Sequence, residues 1–530
     1  MSFKPKINAI HELNNDILHH SDGNNLDTKI DIFLKLFNSE YIDYLIGEKN
    51  KDTINDSDIN GWTLLHYICA YGNLSHLHKV LDIDCININA KNKKDQIPLH
   101  ILFSKMSYFS NNDIMDAIKL FMCHNVDLYS LDYKKRTLLH VACSGNSKMN
   151  MNIKIEVIKF MIIAGIDVEG KCIYGKTALH HLCEKQNYIT NEQQLFLIKL
   201  FLDQYHANIE CIKLHPKQNV ESIETYNKGY SPIHIVASEL TSLENNLQIE
   251  AIKEFIDRGA NLEAIGAFDF RVIHIVCSNI TNLKDEYKYF MIKLLIDMNV
   301  NLEVETSSRW RPIHYLSSKQ KNMSDEYHYE ITKYMLSKKI NINAKNEAGT
   351  TPLIMLCCGN KKYFIDLLRL YIQKGANIND VNNKGLSPLH CICSNPNIDP
   401  IAKIIAFNIM MENGANVNIK CNESKTPLHY LCHCDVITDD SFELFNLLIQ
   451  YGANMTIEDV NGNTPIHILC KSTKIKNAIR YNLIGLFLNT CNNVNKKNKN
   501  GLSPSKIYET NNSDDVSCKK LIISTFFTCQ

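Results

Sequence analysis

Net charge is the first thing this sequence lacks: across 530 residues, 57 Lys and Arg offset 57 Asp and Glu. Such a chain sets up no global field to draw in nucleic acid or an anionic membrane, so neither is an expected partner. It has no apolar run near the roughly 18 residues that a membrane span needs. Its first residues, MSFKPKINAIHELNN, carry no apolar core of a signal peptide. The 19 cysteines are too thinly spread for a disulfide scaffold, and an odd number cannot all pair internally. A reducing, intracellular and cytoplasmic setting is expected, with the nucleus not excluded. There is no Gly-rich phosphate loop, no Gly-x-Ser-x-Gly elbow, no kinase signature and no His-Glu-x-x-His, so no enzyme, small-molecule substrate or cofactor is implied. Arginine supplies only seven of the 57 basic residues, while Asn is about one residue in nine. Together with abundant Lys and Ile, that bias points to AT-rich coding DNA.

What the chain does have is internal repetition, although its length alone suggests about three to five independent domains. A tetrapeptide close to Thr-Pro-Leu-His recurs twelve times, from Thr63-Leu64-Leu65-His66 to the degraded Ser503-Pro504-Ser505-Lys506. Successive fourth positions differ by 34, 40, 40, 54, 40, 40, 40, 36, 39, 38 and 39. A second signature follows in each period, as in Gly259-Ala260-Asn261, Gly375-Ala376-Asn377, Gly414-Ala415-Asn416 and Gly452-Ala453-Asn454. Each lies behind an amphipathic run at helical spacing, such as residues 252–257 or 444–450.

These residue types have a physical logic. Thr or Ser before Pro is a helix N-cap followed by Pro at the first helical position, where a missing N–H costs nothing. Gly after the second apolar run suits a left-handed helix end, and Asn125 and Asn299, which replace it twice, tolerate that conformation next best. Polar segments such as Asn382-Asn383-Lys384-Gly385 suit a tight hairpin. Each unit therefore reads as helix, loop, helix, projecting finger.

This combination resembles the ankyrin repeat. The resemblance implies an all-α solenoid, an array of helix-turn-helix units with projecting β-hairpin fingers. The period of about 40 exceeds the 33 of that family, and the surplus falls between the two helices, as in residues 144–152. Long repeats with this composition resemble the arrays of large DNA viruses, poxviruses among them, and of intracellular parasites. The expected organisation is a loosely ordered segment 1–26, a divergent N-capping repeat 27–60, repeats over 61–500 and a degraded C-capping repeat 501–530. The resemblance implies a monomeric, non-enzymatic scaffold that binds another protein. The alternative is an adaptor joining its target to a ubiquitin ligase through a terminus, although the tail 514–523 shows no F-box-like motif.

Two patterns imitate chemistry. His-x-x-Cys recurs, for example at His66/Cys69, His140/Cys143 and His429/Cys432, and residues three apart share a helix face. Ala237 and Ser317 take the cysteine's place elsewhere, so this position reads as a small buried filler and not as a zinc ligand. The ten motif histidines, one per repeat, read as packing and hydrogen-bonding residues that tie the turn before the first helix, not as general bases. A locally basic stretch, 471–506, reads as solvated loops and helix faces.

The residue just before the motif sits on the finger and is free to vary. In three consecutive repeats it is a large aromatic: Tyr230, Phe270 and Trp310. Arg271, Arg309 and Arg311 flank them. Exposed Trp, Tyr and Arg together are the chemistry of binding hot spots. These six residues are the expected partner-binding ridge, bordered by a long finger at 212–228.

Overall fold

A computed structural model describes residues 54–105, 109–210, 229–359, 361–433, 439–472, 477–490 and 496–511, with isolated positions 523, 524 and 526. The chain divides into two compact units that meet in sequence at Ala267 and Phe268. The N-terminal segment 1–26, most of the N-capping repeat, the long finger 212–228 and the tail 514–522 lie outside the described residues.

Within each unit the described residues form pairs of helices, 23 α-helices in all, and no strand. The first helix of a pair is short, six to eight residues, such as Val272–Cys277 or Leu64–Tyr71. Helices this short do not persist alone in water. Burial holds them: every residue of Val272–Cys277 and of Pro232–Ala237 is buried. Within each unit, first helices of successive repeats pack side by side.

Start signals behave as expected. Thr351 is extended (φ −83°, ψ 161°), its Oγ1 accepts the Ile354 amide at 3.3 Å, and Pro352 takes the first helical position. The longer second helices, such as Asn245–Asp257 and Pro400–Glu412, end where the sequence placed Gly. Gly259 has φ 79°; its amide donates to Ile256 O at 2.9 Å while Ala260 donates to Phe255 O at 3.0 Å. That bond pair is a Schellman end, and the Ala of Gly-Ala-Asn is the buried residue just beyond it. Asn125 (φ 58°) and Asn299 (φ 57°) build the same end without glycine.

The fingers differ from the expected β-hairpins. The described ones are tight turns: Asn382 receives amides from Lys384 (2.9 Å) and Leu386 (3.0 Å) on its Oδ1, and its own N–H donates to Leu386 O at 3.1 Å. Neighbouring fingers share single backbone bonds, as Asn383 N–H to Ala348 O (3.0 Å) or Tyr133 N–H to Lys94 O (2.9 Å). One bond per pair of fingers is too few for a ladder. Side-chain oxygens of Asn and Asp have taken over the pairing that strand residues would supply.

Candidate protein-binding face

The motif histidines connect one repeat to the next. His66 Nδ1 accepts the Thr63 amide at 3.1 Å, and its Nε2 meets the Gln96 carbonyl at 2.9 Å. A ring that accepts at Nδ1 must carry its proton on Nε2, so the tautomer is set by these two partners. The pattern repeats at His140 with Lys176 O (3.0 Å), His274 with Val304 O (3.1 Å), His314 with Ala344 O (3.0 Å), His390 with Lys425 O (3.1 Å) and His429 with Asn463 O (3.2 Å). Burial pushes His274, His314, His390 and His429 down to about 4, so these rings stay neutral near neutrality. With both ring nitrogens committed, none of them has a lone pair to offer a metal. The cysteines three residues on are equally enclosed. Cys69, Cys143, Cys277 and Cys470 are fully buried, and burial raises each thiol, to about 12 at Cys143 and Cys277. Among the described residues no group of three or more His, Cys, Asp or Glu is placed to hold a metal ion. Of the pair His433 and Cys434, the cysteine lies outside those residues.

Asparagine forms a second set of links. Asn379 donates from Nδ2 to Gly414 O at 2.9 Å and accepts the Asn416 amide on Oδ1 at 2.8 Å. Asn343 does the same to Gly375 and Asn377, and Asn418 to Gly452 and Asn454. One primary amide thus satisfies a carbonyl and an N–H at the helix end of the following repeat.

A third set lies inside five of the repeats, at the fourth residue of the second helix. Gln194 Nε2 reaches Leu182 O (2.7 Å) and Glu184 O (2.8 Å); Gln248 Nε2 reaches Val236 O at 2.8 Å. Lys288 Nζ reaches Ser278 O at 2.7 Å, Lys154 Nζ reaches Ser144 O at 3.3 Å, and His328 Nε2 meets Leu316 O at 2.6 Å. All five side chains are buried. They cap carbonyls at and just beyond the end of the short first helix, across the loop that lengthens these repeats. The clue in the sequence was a polar residue at 154, 194, 248, 288 and 328, in step with the motif.

Residues 321–409 and 354–459 match the family model for ankyrin repeats, three copies. These are ankyrin repeats. The described repeats outside that stretch carry the same kinds of cap, link and finger, so the described residues form an all-helical repeat array. No curated protein matches it. Among the described residues, no helix is long and apolar enough to cross a membrane.

On this repeat frame the six residues expected to form a ridge have unlike fates. Tyr230 turns inward: it is 2% exposed and stacks on His234 with ring centres 5.4 Å apart and planes at 10°. Gly266 makes room for it, since a Cβ there would lie 2.6 Å from the Tyr230 ring. This corrects the expectation that Tyr230 is presented to a partner. In the second unit Phe270 and Trp310 are half-buried, and both lean on Tyr315, with ring centres 5.9 Å and 5.0 Å away. Tyr315 follows the motif histidine and was not singled out from sequence. Trp62 and Tyr67 repeat that pairing in the first unit at 5.1 Å. There Lys105 Nζ sits over the Trp62 ring at 5.1 Å, and both line a cleft of about 410 Å³ with Tyr71, Tyr133 and Arg136.

The arginines divide as well. Arg309 stands at the finger tip with φ 59° and a side chain 60% exposed. Arg311 is tied down, donating to Glu305 Oε1 through Nε (3.1 Å) and Nη2 (2.9 Å), and to Glu303 through Nη1. Arg271 is half-buried, and its backbone amide donates to His274 Nδ1 at 3.1 Å. Arg271 and Arg311 occupy the position that Thr or Ser fills in the other repeats except the second, which has Ile97. The histidine still receives the backbone amide there, which is why the helix tolerates a cap without a short-chain hydroxyl.

Proposed function

We propose that this chain is a non-enzymatic scaffold that binds a partner protein through its fingers and first helices, with the Phe270, Tyr315, Trp310 and Arg309 face of the second unit as the principal contact. The ankyrin repeats support a protein-binding role, and the observation that carries the site is the triplet of rings. Three aromatic side chains, packed on one another and left half-exposed beside the exposed Arg309, form a rigid surface that loses little side-chain entropy on binding. Arg311 and its two glutamates border that surface and fix its charge pattern. Every described cysteine is a free thiol, in keeping with a reducing intracellular setting. The lengthened, Asn- and Lys-rich repeats resemble those of viral or parasite arrays, and on that resemblance the partner would be a host-cell protein.

The test is affinity capture from host-cell lysate with the wild-type chain and a Phe270→Ala, Trp310→Ala double variant, both checked for folding by circular dichroism. Loss of one or more captured proteins from the variant supports the assignment. An unchanged set from a folded variant removes this face from the binding surface.

A further inference from the structure

The chain's two tryptophans, Trp62 in the first unit and Trp310 in the second, hold equivalent places. Each stands just before a motif and leans on the tyrosine after the motif histidine: Tyr67 at 5.1 Å, Tyr315 at 5.0 Å. The rings match, but the charges around them do not. Beside Trp310, Arg311 is paired with Glu303 and Glu305. The Trp62 cleft of about 410 Å³ instead gathers cations: Lys93 and Lys94 from the next finger, Lys105 from the end of helix Pro98–Lys105, and Arg136 from the finger after that.

The one carboxylate among the described residues that line this cleft is already engaged. Asp58 Oδ1 accepts the Asn60 and Trp62 amides, each at 2.8 Å, and Oδ2 accepts the Tyr67 hydroxyl at 2.6 Å. Lys105 Nζ lies 5.1 Å from the Trp62 ring centre and 5.8 Å from that of Tyr71, so two ring faces hold an ammonium in the wall. Lys93 and Lys94 are exposed and make no ion pair among the described residues. Arg136 is bound to the buried carboxylate of Asp132. Tyr133, 46% exposed, adds an open ring to the lining.

We propose that this cleft is a docking site of its own, and that its occupant is an acidic, extended peptide segment of a partner protein. Carboxylates of the segment meet Lys93, Lys94 and Lys105, while its apolar side chains lie on Trp62 and Tyr133. Charge complementarity carries the choice. Four cations line the cleft against one engaged carboxylate, which makes it locally positive in a chain whose net charge is zero. The volume suits a few residues of peptide, and the ring walls offer apolar area that a free inorganic anion would leave unused. A nucleic-acid strand fits less well. It needs a basic groove that follows its backbone over several nucleotides, whereas exposed Asp95 stands on the same finger as Lys93 and Lys94. The site lies in the other unit from the Phe270 and Trp310 face and does not rest on it.

The experiment uses the full-length chain carrying Trp310→Phe, which leaves Trp62 as its sole tryptophan and therefore its reporter. Trp62 emission is followed on titration with a capped peptide of Glu-Glu-Leu repeated three times, with the same peptide carrying Gln for Glu, and with an oligothymidine of equal length. We expect a saturable change with the Glu peptide, with a Kd of about 10–100 µM at low salt. The Gln peptide should bind about tenfold more weakly, and about 0.5 M salt should weaken the Glu peptide to a similar degree. Lys93→Gln with Lys94→Gln alters only exposed side chains and should cost about tenfold in affinity; Lys105→Met should cost at least as much. No saturable response, equal binding of the Gln peptide, or unchanged affinity in the Lys93→Gln, Lys94→Gln variant each overturns the proposal. Tighter binding of oligothymidine than of the Glu peptide also overturns it, by making the cleft a nucleic-acid site. The exposed-lysine variant decides the matter even if Lys105→Met fails to fold. Since the signal comes from Trp62, no outcome bears on the second-unit face.

Discussion

The smallest working parts of this molecule are side chains that stand in for backbone. An asparagine amide has one donor face and one acceptor face, and Asn343, Asn379 and Asn418 spend both on the next repeat. Asn379→Ala would strand the Gly414 carbonyl and the Asn416 amide, at a cost of about 1–2 kcal/mol for partly exposed groups. Asn379→Asp keeps the acceptor and should lose less. Urea midpoints of the two variants check the order, and equal losses would show that the pairing is not the cause. The abundance of Asn reads in the sequence as genome composition, because a count carries no information about where an amide points. The histidines were legible in half of their role. A fixed place in each repeat announced a bond to the preceding turn, but the carbonyl about 30 to 36 residues ahead became visible only in three dimensions.

At the scale of the element, the recurring problem is a first helix too short to stand alone, followed by an extended loop. The buried fourth residue of the second helix answers it, and the residue type has a measurable consequence. Lys288 is fully buried, and desolvation pushes it down to about 8. Its folded value lies below the unfolded one of about 10.4, so the unfolded chain binds the extra proton between those values. Stability should therefore rise with pH across that window, and at neutral pH the protonated buried amine carries its full penalty. Lys288→Gln supplies the same kind of N–H donor that Gln248 uses in the preceding repeat, without the charge. It should stabilise the chain at pH 7 by about 1–3 kcal/mol and flatten the rise between pH 8 and 10.5. Denaturant unfolding at several pH values measures both, and a destabilised Lys288→Gln would contradict the assignment. Sequence reading missed this position because a lysine on a helix is ordinarily solvated. The caps and glycine helix ends were read correctly because their chemistry is local, whereas the fingers proved to be tight turns and not β-hairpins. Tyr230 and Tyr315 exchanged roles for the opposite reason: Gly266 and the neighbouring rings, not their own positions, decide which one faces out.

Over the whole molecule the same small devices add up. His100, His140, His274, His314, His390 and His429 are all lowered to about 4, chiefly by burial. Their folded values lie below the unfolded value of about 6.5, so the stabilisation is complete above that pH and is lost as pH falls toward 4. At pH 5 each ring should have given up about 1–2 kcal/mol. The urea midpoint should drop steeply from pH 6.5 to pH 5, with protons taken up on unfolding. A midpoint flat over that range would mean that the rings are not neutral bridges. Repetition is also what makes the fold readable, since each repeat restates the same evidence. Function is the opposite case: it resides in the residues that vary, and a single sequence marks those only by residue type.

The most direct test of the binding face is position-specific photo-crosslinking in cells. A crosslinking residue replaces exposed Arg309 beside Phe270, Tyr315 and Trp310, and in a second chain it replaces Ile401, 63% exposed on a second helix. A discrete protein adduct at 309 and none at 401 is the predicted result. Adducts at 401 with none at 309 would place the partner on the other side of the repeat and contradict the account.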